Sequence, residues 1–250
     1  MFDLDTFATG LAGAAAQEVD GGAARICELC VSSLPVAGAA VAVMAHVNRR
    51  EVVYASDDVA NELEELQFSL GEGPCVEAFG TGRPVLVADL SLVVDPRWPI
   101  FAAAAARTTA RAAYALPLQI GAIGIGVLDL YRVRGGLLDA TQLTGALMAA
   151  DAILWSLLRL RAGVGIDDGA ADGARWLTEG RRSHTAVHQA TGMIMVQAGV
   201  DAESSLARLR GFAFVNEKLI DEVAGEVVAR RLRFDERAAD DGVPTSGGGH

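Results

Sequence analysis

Apolar residues recur every three or four positions near the C-terminal end of the chain, in three short segments. In the first segment, Val187, Ala190, Ile194 and Ala198 fall on one face of a helix. Gly199 is placed to end this helix, because glycine adopts the left-handed cap conformation without steric cost. The pattern predicts a short amphipathic helix that needs a partner for its apolar face.

The second segment has a clear start, stripe and end. Asp201 is a good N-cap, and Leu206, Leu209 and Ala213 form the apolar stripe that follows it. Asn216 is placed to end the helix. This segment predicts a second amphipathic helix directly after the first.

The third segment carries Leu219, Val223 and Val227 at helical spacing. Helices this short are marginal alone, so all three must pack on one another. Gly192 lies inside the first helix, where glycine costs about 1 kcal/mol relative to alanine. The close approach of another backbone or of a ligand would explain a glycine here. The helical spacing is equally consistent with a glycine that the helix merely tolerates.

These segments resemble the ANTAR domain, a three-helix RNA-binding module of bacterial transcription antiterminators. The matching motifs are Ala190-Thr-Gly-Met-Ile-Met195, then Leu209-Arg210 with Ala213, then Val223-Ala224. The similarity covers roughly residues 171–232 and implies binding to paired RNA stem-loops by a homodimer. Thr191 stands where many members have lysine, and Ser205 where the family usually has alanine.

Charge is distributed unevenly along the chain. The net charge is −11, whereas residues 175–234 carry 9 basic and 7 acidic residues, or +2. Arginine suits phosphates and base edges because its planar fork makes bidentate contacts. The residues that the resemblance and the charge indicate for RNA binding are Arg181, Arg182, Thr191, Gly192, Arg208, Arg210, Arg231 and Arg233. The alternative is an ordinary solvated helix surface.

The first part of the chain alternates between helical and strand patterns. Helices are predicted at 3–19, with Phe7, Leu11 and Ala14 on one face, at 23–34, and at 98–108. Further helices are predicted from the caps Asp57-Asp58 to about 67, from Pro74 to a turn at Gly80 to Gly82, and from the cap Asp139 to about 161. Strands are predicted at 38–46, 51–55, 85–88, 111–118 and 122–131. Asn48-Arg49-Arg50 and Gln119-Ile-Gly121 have the composition of turns. The pattern predicts an α+β fold around one antiparallel sheet with flanking helices.

The order of motifs in this region resembles a GAF domain over roughly residues 20–160. The motifs are Gly71-Glu-Gly-Pro-Cys75, Val85-Leu-Val-Ala-Asp89, Ala115-Leu-Pro-Leu118 and Gly124-Ile-Gly-Val-Leu-Asp129. GAF is a widely used signal-sensing fold, so the resemblance implies a small-molecule or protein signal without naming it. Candidate pocket residues are Tyr54, Cys75, Trp98 and Tyr114.

The two resemblances together predict a domain organisation. It consists of an N-terminal helix at 1–19, a GAF sensor domain at 20–161, a glycine-rich linker at 162–173, an ANTAR module at 171–234 and a disordered tail at 235–250. The function that follows is a signal-responsive transcription regulator that binds RNA and promotes antitermination. The acidic net charge favours an alternative, in which the three helices serve only protein–protein contact.

Cys75 raises a further alternative. Some GAF proteins are free-methionine sulfoxide reductases with a cysteine in a Gly-x-Gly-x-Cys stretch, but the second cysteine wanted near 111–114 is missing here. A position at a helix N-terminus would lower the pKa of the Cys75 thiol and suit a redox sensor, but we favour an inert, packed cysteine. With no other catalytic motif, we expect no enzyme activity and no cofactor beyond an unknown ligand of the sensor domain.

The number of cysteines and the length of the apolar runs indicate where in the cell the protein is expected. Three cysteines are an odd number, which argues against a disulfide framework, and Cys27 and Cys30 fit core packing better than a metal site. The N-terminus Met-Phe-Asp-Leu-Asp is acidic where a signal peptide is basic, and no uninterrupted apolar run could span a bilayer. We expect a cytoplasmic protein that binds no metal or membrane.

Overall fold

The computed structural model describes residues 2–16, 21–46, 49–92, 95–163, 184–216 and 218–234. The chain divides into two compact units, Met1–Ser183 and His184–His250. Arg181 and Arg182, residues 164–173 of the predicted linker and the predicted tail at 235–250 lie outside the described residues. The two units are described separately below.

The first unit alternates helices and strands in the predicted order. Its elements are α1 Leu4–Ala16, α2 Gly22–Ser33, β1 Gly38–His46, β2 Arg49–Ala55, α3 Asp58–Leu70, α4 Pro74–Thr81, β3 Val85–Val87, α5 Pro99–Ala105, β4 Ala112–Ile120, β5 Ile123–Arg132 and α6 Ala140–Gly163. The five strands form one sheet in the order β2-β1-β5-β4-β3, and every pairing is antiparallel. The predicted α+β class and antiparallel sheet are confirmed.

Side chains alternate between the two faces of the sheet, and each face is covered by helices. One face packs against α1, α2 and α6, with Ile26, Leu116 and Ile153 in its core. The other face packs against α3, α4 and α5, with Phe101 and Val127 in its core. The unit is therefore a sheet between two helical layers, and any internal site must lie under one of them.

The N-terminal helix belongs to this unit. Phe7 and Leu11 are buried in the same core as α2 and α6. The helix predicted at 1–19 is α1, Leu4–Ala16, and its apolar stripe packs into this core. The stripe itself was predicted correctly.

Side-chain caps fix the starts of two helices as predicted. Asp57 Oδ1 accepts a hydrogen bond of 2.8 Å from the Ala60 amide at the start of α3. Asp139 Oδ1 accepts one of 2.8 Å from the Gln142 amide, and Gln142 Oε1 accepts one of 3.0 Å from the Asp139 amide. This reciprocal capping box begins α6.

Several element boundaries differ from the prediction, three of them by a change of element or of helix end. Arg49 and Arg50 lie in β2 rather than in a turn, α4 continues through Gly80 to Thr81, and α5 ends at Ala105 rather than at 108. The last difference has a local cause. The amides of Arg107 and Thr108 bond to carbonyls three residues earlier, which tightens the chain into a turn and stops the helix.

One helix in the described part of the chain, Ala140–Leu160 within α6, is long and apolar enough to cross a membrane by length and composition alone, with a mean hydropathy of 1.4. Polar residues interrupt it, so the sequence shows no continuous apolar run at this place. Core helices meet the same criterion, and Ala146, Ile153 and Leu157 of this helix are buried against the sheet.

The second unit contains three helices, α7 Thr185–Ala198, α8 Ala202–Val215 and α9 Ile220–Val228. Gly199 ends α7 in the left-handed conformation with φ 63°, and Asp201 Oδ1 caps α8 by accepting a 2.7 Å hydrogen bond from the Ser204 amide. Every residue of the predicted stripes of α7 and α8 is buried. These helix predictions are confirmed.

The predicted stripe of α9 was wrong at one position. Leu219 is the N-cap, has extended backbone, and is 56% exposed. Ile220 takes its place in the core beside Val223 and Val227, and all three are fully buried. Because the helix begins one residue later than the spacing suggested, the Leu219 side chain points away from the packed face.

Candidate functional site

Hydrogen bonds to α3 and α5 hold the Gly71–Cys75 loop in place. Gly73 has φ 132°, and a Cβ at this position would lie 2.8 Å from Gln67, so only glycine fits. Gln67 Oε1 accepts a 2.7 Å hydrogen bond from the Cys75 amide. Glu72 Oε1 accepts two hydrogen bonds of 2.7 Å from amides at the start of α5. The loop thereby places Cys75 under the helical layer formed by α3 to α5.

Four side chains from different elements meet there and form the polar cluster. Arg50 from β2 and Glu64 from α3 make an ion pair, and each side chain is 1% exposed. The Cys75 thiol, at the start of α4, donates a hydrogen bond to the Asp129 carboxylate on β5. A charged group this deeply buried needs partners, because burial without them costs several kcal/mol.

Several atoms of the polar cluster lack a hydrogen bond. Arg50 Nε and Nη1, Asp129 Oδ2 and the Glu64 carboxylate beyond its ion pair have no hydrogen-bond partner among the described residues. Buried polar groups are paired in the great majority of cases, so unpaired ones indicate a place for a bound water, ion or ligand. The polar cluster is therefore a binding site candidate.

Burial controls the protonation of this cluster. It raises the pKa of Asp129 to about 6, although the positive charge of Arg50 and the hydrogen bond from Cys75 both lower it. It also raises the pKa of the Cys75 thiol well above its ordinary value, against a smaller opposing effect of Arg50. Cys75 is fully buried, as expected for a packed cysteine, and the pKa of its thiol is raised rather than lowered because desolvation is the largest effect on it.

A cavity of about 20 Å³ lies beside the polar cluster. Its polar walls are Glu64, Gln67 and Asp129; its apolar walls are Ala40, Ala60, Leu63, Pro74, Phe101, Ala113, Leu130 and Tyr131. A space of this size accommodates one water molecule or a bare ion.

The structure does not bring the four predicted pocket residues together. Tyr54 and Tyr114 lie in the core on the opposite face of the sheet, where the Tyr114 hydroxyl donates a 2.7 Å hydrogen bond to the Gly136 carbonyl. Trp98 is buried on the same face as Cys75, with the Arg97 guanidinium 4.0 Å from its ring centre. Only Cys75 belongs to the polar cluster, because strand alternation separates the tyrosines from it.

Sequence reasoning missed Arg50, Glu64 and Asp129. Two signals could have found them. Glu64 occupies a helix position that the spacing of Ala60 and Leu63 assigns to the core, and Asp129 interrupts an apolar strand. A charged residue at a core position is a better indicator of a site than an aromatic residue there.

The second unit carries a surface groove of about 680 Å³ between α7 and the segment that follows α9, which we call the α7–α9 groove. It is lined by Gln189, Gly192, Met193, Val196, Gln197, Val228, Arg230 and Arg233. A Cβ added at Gly192 would meet no described atom within 4 Å. Gly192 therefore opens onto the groove and does not serve a close approach of another backbone in the described unit.

The segment after α9 is held against the other two helices. Arg230 has φ 60°, a left-handed conformation unfavourable for a residue with a side chain. The Arg231 amide donates a 2.8 Å hydrogen bond to the Glu226 carbonyl, and the Phe234 amide donates one of 2.9 Å to Gln197 Oε1. The Phe234 ring packs edge-on against Phe212. These contacts maintain the turn that directs Arg230 to the groove.

The predicted RNA-binding residues are distributed over this unit. Gly192 and Arg233 line the α7–α9 groove, whereas Arg208 is exposed on α8 and Arg210 is half-buried there. The Thr191 hydroxyl donates a 2.7 Å hydrogen bond to a carbonyl one turn earlier in its own helix. Arg231 is exposed beside the groove without lining it.

Other groove residues were absent from the predicted set. Arg230 was missed because only its backbone conformation distinguishes it from the neighbouring arginines. Gln189 and Gln197, one turn to either side of Gly192 and Met193, were missed because polar residues on an exposed helix face carry no signal in the sequence.

Comparison with known proteins supports a GAF fold for the first unit. The sequence model of the GAF domain matches residues 16–153, which leaves the three-helix unit uncovered. No curated protein sequence matches the chain. The GAF domain of a phosphoenolpyruvate-protein phosphotransferase from Coxiella burnetii is similar in structure, with a TM-score of 0.52 and 12% identity over 64% of this chain and 95% of that one.

Two further solved structures are similar. The GAF domain of the Acinetobacter phosphoenolpyruvate-protein phosphotransferase has a TM-score of 0.50 and 11% identity over 66% of this chain and 97% of that one. The free methionine-R-sulfoxide reductase from Neisseria meningitidis has a TM-score of 0.47 and 16% identity over 66% and 98%. The family model matches more than half of the sequence, and the chain therefore belongs to the GAF domain family.

Proposed function

We propose that this protein is a signal-responsive transcription regulator: the GAF unit receives a signal, and the three-helix unit binds RNA stem-loops and promotes antitermination. The observation that carries the RNA-binding part is the α7–α9 groove, which lies within the segment similar to ANTAR domains. The GAF family membership supports the sensing part.

The lining of the α7–α9 groove has the chemistry of an RNA contact. Arg230 and Arg233 offer guanidinium forks for phosphates, and none of the described residues that line the groove is acidic. Met193 and Val196 offer an apolar wall for an unstacked loop base, and the two glutamines offer donors and acceptors for base edges. A volume of about 680 Å³ accommodates a nucleotide with room for its flanking phosphates.

RNA binding is tested by titrating the protein with RNA that carries two adjacent stem-loops, at two salt concentrations, against RNA with scrambled loops. For the double variant Arg230→Ala/Arg233→Ala, we expect affinity to fall about tenfold or more. The slope of log affinity against log salt should become shallower by about one for each phosphate that the variant no longer binds. Fluorescence anisotropy provides both quantities.

Two variants serve as controls for this titration. Lys218→Ala removes a cation of the same unit that is engaged with Glu226 at 3.0 Å and lies outside the groove, so affinity should change little. Arg208→Ala tests the exposed face of α8. Equal losses for Arg208→Ala and the groove variant would assign the contact to a wider face, and unchanged affinity for the groove variant would contradict the proposal.

The backbone of Arg230 offers a second prediction. Glycine adopts φ 60° without steric cost, so Arg230→Gly is expected to raise the free energy of unfolding by about 1 kcal/mol while it weakens RNA binding. Urea unfolding and the RNA titration measure the two effects. Arg231→Gly is the matched control: this residue lacks a positive φ, so glycine should lower stability. Loss of stability in Arg230→Gly would contradict the argument.

The proposal includes a homodimer in the cytoplasm whose dimerisation, or whose exposure of the three-helix unit, changes with the signal. Such coupling requires the signal to bind two states of the protein with different affinity. RNA affinity should then depend on the occupancy of the GAF unit. Comparison of the full chain with the three-helix unit alone would reveal whether the GAF unit inhibits binding.

An exposed apolar patch favours a second candidate function, a protein-contact module. Phe214, Val215 and Leu219 are 56%, 78% and 56% exposed around the connection between α8 and α9. Neighbouring exposed apolar residues indicate an interaction surface more often than isolated ones do. Absence of RNA binding by the full chain and by the isolated unit, together with self-association that Phe214→Ser abolishes, would favour this function.

A further inference from the structure

Three potential metal ligands in the GAF unit converge on one point. Glu64, Cys75 and Asp129 each offer one ligand atom, and these atoms all lie within 4.8 Å of one another. They come from α3, α4 and β5, so the fold brings together groups that are far apart in the chain. One sulfur and two carboxylate ligands suit a borderline divalent ion such as Zn²⁺, which binds both donor types.

The unpaired atoms of the polar cluster point to the same place independently. The Glu64 carboxylate beyond its ion pair and Asp129 Oδ2 are inaccessible to solvent and accept no hydrogen bond from the described residues. The adjoining cavity holds about 20 Å³, whereas pockets for organic ligands enclose roughly 300 Å³ or more. The site in this conformation therefore fits an ion and excludes a metabolite.

Charge balance favours a divalent cation. Arg50 contributes one positive charge, and ionised Glu64 and Asp129 contribute two negative charges, which leaves a buried excess of one negative charge. When a divalent ion displaces the thiol proton of Cys75 into the buffer, the ion, the thiolate, the two carboxylates and Arg50 sum to zero. A neutral group of charges is far less costly to bury than a charged one.

Arg50 has a supporting role in this arrangement. Its ion pair with Glu64 occupies one side of the carboxylate and orients the other side toward Cys75 and Asp129. Ligating carboxylates are commonly held by such outer partners, and loss of the partner typically weakens metal binding about 10–100-fold.

We infer that the GAF unit binds one divalent transition-metal ion of the zinc class through Glu64, Cys75 and Asp129. The ion fixes α3, α4 and β5 to one another, so its binding and release supply a signal for the sensor unit. This inference concerns the GAF unit alone. It is tested independently of RNA binding, because metal binding and RNA binding are measured in different titrations.

The test uses the full chain after removal of metals with a chelator. Titration with Co²⁺ should reach saturation at one ion per chain and produce a near-ultraviolet sulfur-to-cobalt charge-transfer band, and Zn²⁺ should displace the Co²⁺ and abolish the band. Cys75→Ser should eliminate the band, and Asp129→Asn should weaken binding about tenfold or more. Both replacements are close in shape to the original side chains.

Cys30→Ser is the matched control, because Cys30 is equally buried but lies in the core on the opposite face of the sheet. It should retain the charge-transfer band and the affinity of the natural chain. Circular dichroism verifies that each variant is folded. A folded protein without the band, or with a band that survives Cys75→Ser, would overturn the inference, and so would unchanged Co²⁺ affinity in Asp129→Asn.

Discussion

Replacement of Arg50 by methionine is expected to lower the free energy of unfolding by about 3–5 kcal/mol in metal-free protein at neutral pH. The substitution leaves the Glu64 carboxylate buried at 1% exposure without its countercharge. The pKa of Asp129 rises further at the same time, because Arg50 is one of the groups that lower it. Urea unfolding followed by circular dichroism measures the loss.

The double variant Arg50→Met/Glu64→Leu distinguishes a broken ion pair from a general disturbance of the core. Apolar residues of similar volume replace a buried ion pair at little cost, so the double variant should regain most of the stability. A deficit of about 1–2 kcal/mol should remain, because Asp129 loses its neighbouring positive charge. If the losses of stability in Arg50→Met and in Glu64→Leu alone simply add in the double variant, Arg50 and Glu64 do not act as a pair.

An exposed ion pair of the same unit provides the comparison. Arg97 lies 2.9 Å from Asp95, and its side chain is 47% exposed. Arg97→Met should cost about 1 kcal/mol or less, since solvent screens such pairs and the contact with Trp98 contributes modestly. The contrast between Arg50 and Arg97 tests whether burial, rather than pairing itself, sets the magnitude.

The fold could be predicted from the sequence wherever local pattern and tertiary packing agree. Helical spacing identified the buried residues of α7 and α8, and Asp57, Asp139 and Asp201 were identified as caps from side-chain chemistry alone. The predicted burial of Leu219 was wrong because Leu219 and Ile220 both fit the helical spacing, and only the position of the N-cap decides which of them is buried.

The candidate site could not be predicted in the same way. Arg50 follows another arginine in a stretch with turn composition, and nothing local indicates that its guanidinium reaches Glu64 on a helix. Asp129 and Cys75 lie 54 positions apart and meet only through the topology of the sheet. Long-range charge pairing is a property of the assembled fold, so a sequence reveals its members only as charged residues at core positions.

The two units show different relations between sequence and function. In the three-helix unit, the residues of the ANTAR-like motifs are partly buried; Gly192 and Met193 of these motifs line the groove together with residues outside them, such as Arg230 and Gln197. In the GAF unit, Cys75 of the GAF-like motif is itself a member of the polar cluster. Motif residues identify the fold of the GAF unit, whereas the residues that surround a motif determine what a site can bind.

Asp129→Asn is expected to stabilise metal-free protein at pH 8 by about 2–3 kcal/mol and to leave stability nearly unchanged at pH 4. Burial raises the pKa of Asp129 from 3.8 to about 6, so the folded protein retains a proton that the unfolded chain has already lost. The stabilisation from this proton is complete below about pH 4 and is lost as pH rises through about 6. A shift of about two units corresponds to about 3 kcal/mol.

Asparagine retains an oxygen that accepts the hydrogen bond from Cys75 but carries no charge, so the variant removes this pH dependence. The difference in unfolding free energy between the variant and the natural chain isolates Asp129, because all other groups titrate in both proteins. Urea unfolding at intervals between pH 4 and 8, with chelator present, should show the difference growing through about pH 6. A difference that stays constant with pH would show that Asp129 does not hold the extra proton.

Asp95→Asn should behave in the opposite sense and serves as the control. The hydrogen bond from the Arg97 side chain lowers the pKa of Asp95, so this carboxylate stabilises the folded protein at high pH rather than at low pH. The variant should therefore be less stable than the natural chain by a nearly constant amount between about pH 5 and 8, because Asp95 is ionised in both the folded and the unfolded protein over that range. A difference that grows through about pH 6 for Asp129→Asn, beside a flat difference of opposite sign for Asp95→Asn, would establish that burial reverses the usual role of a carboxylate at Asp129, where the negative charge is tolerated only while Arg50 remains beside it.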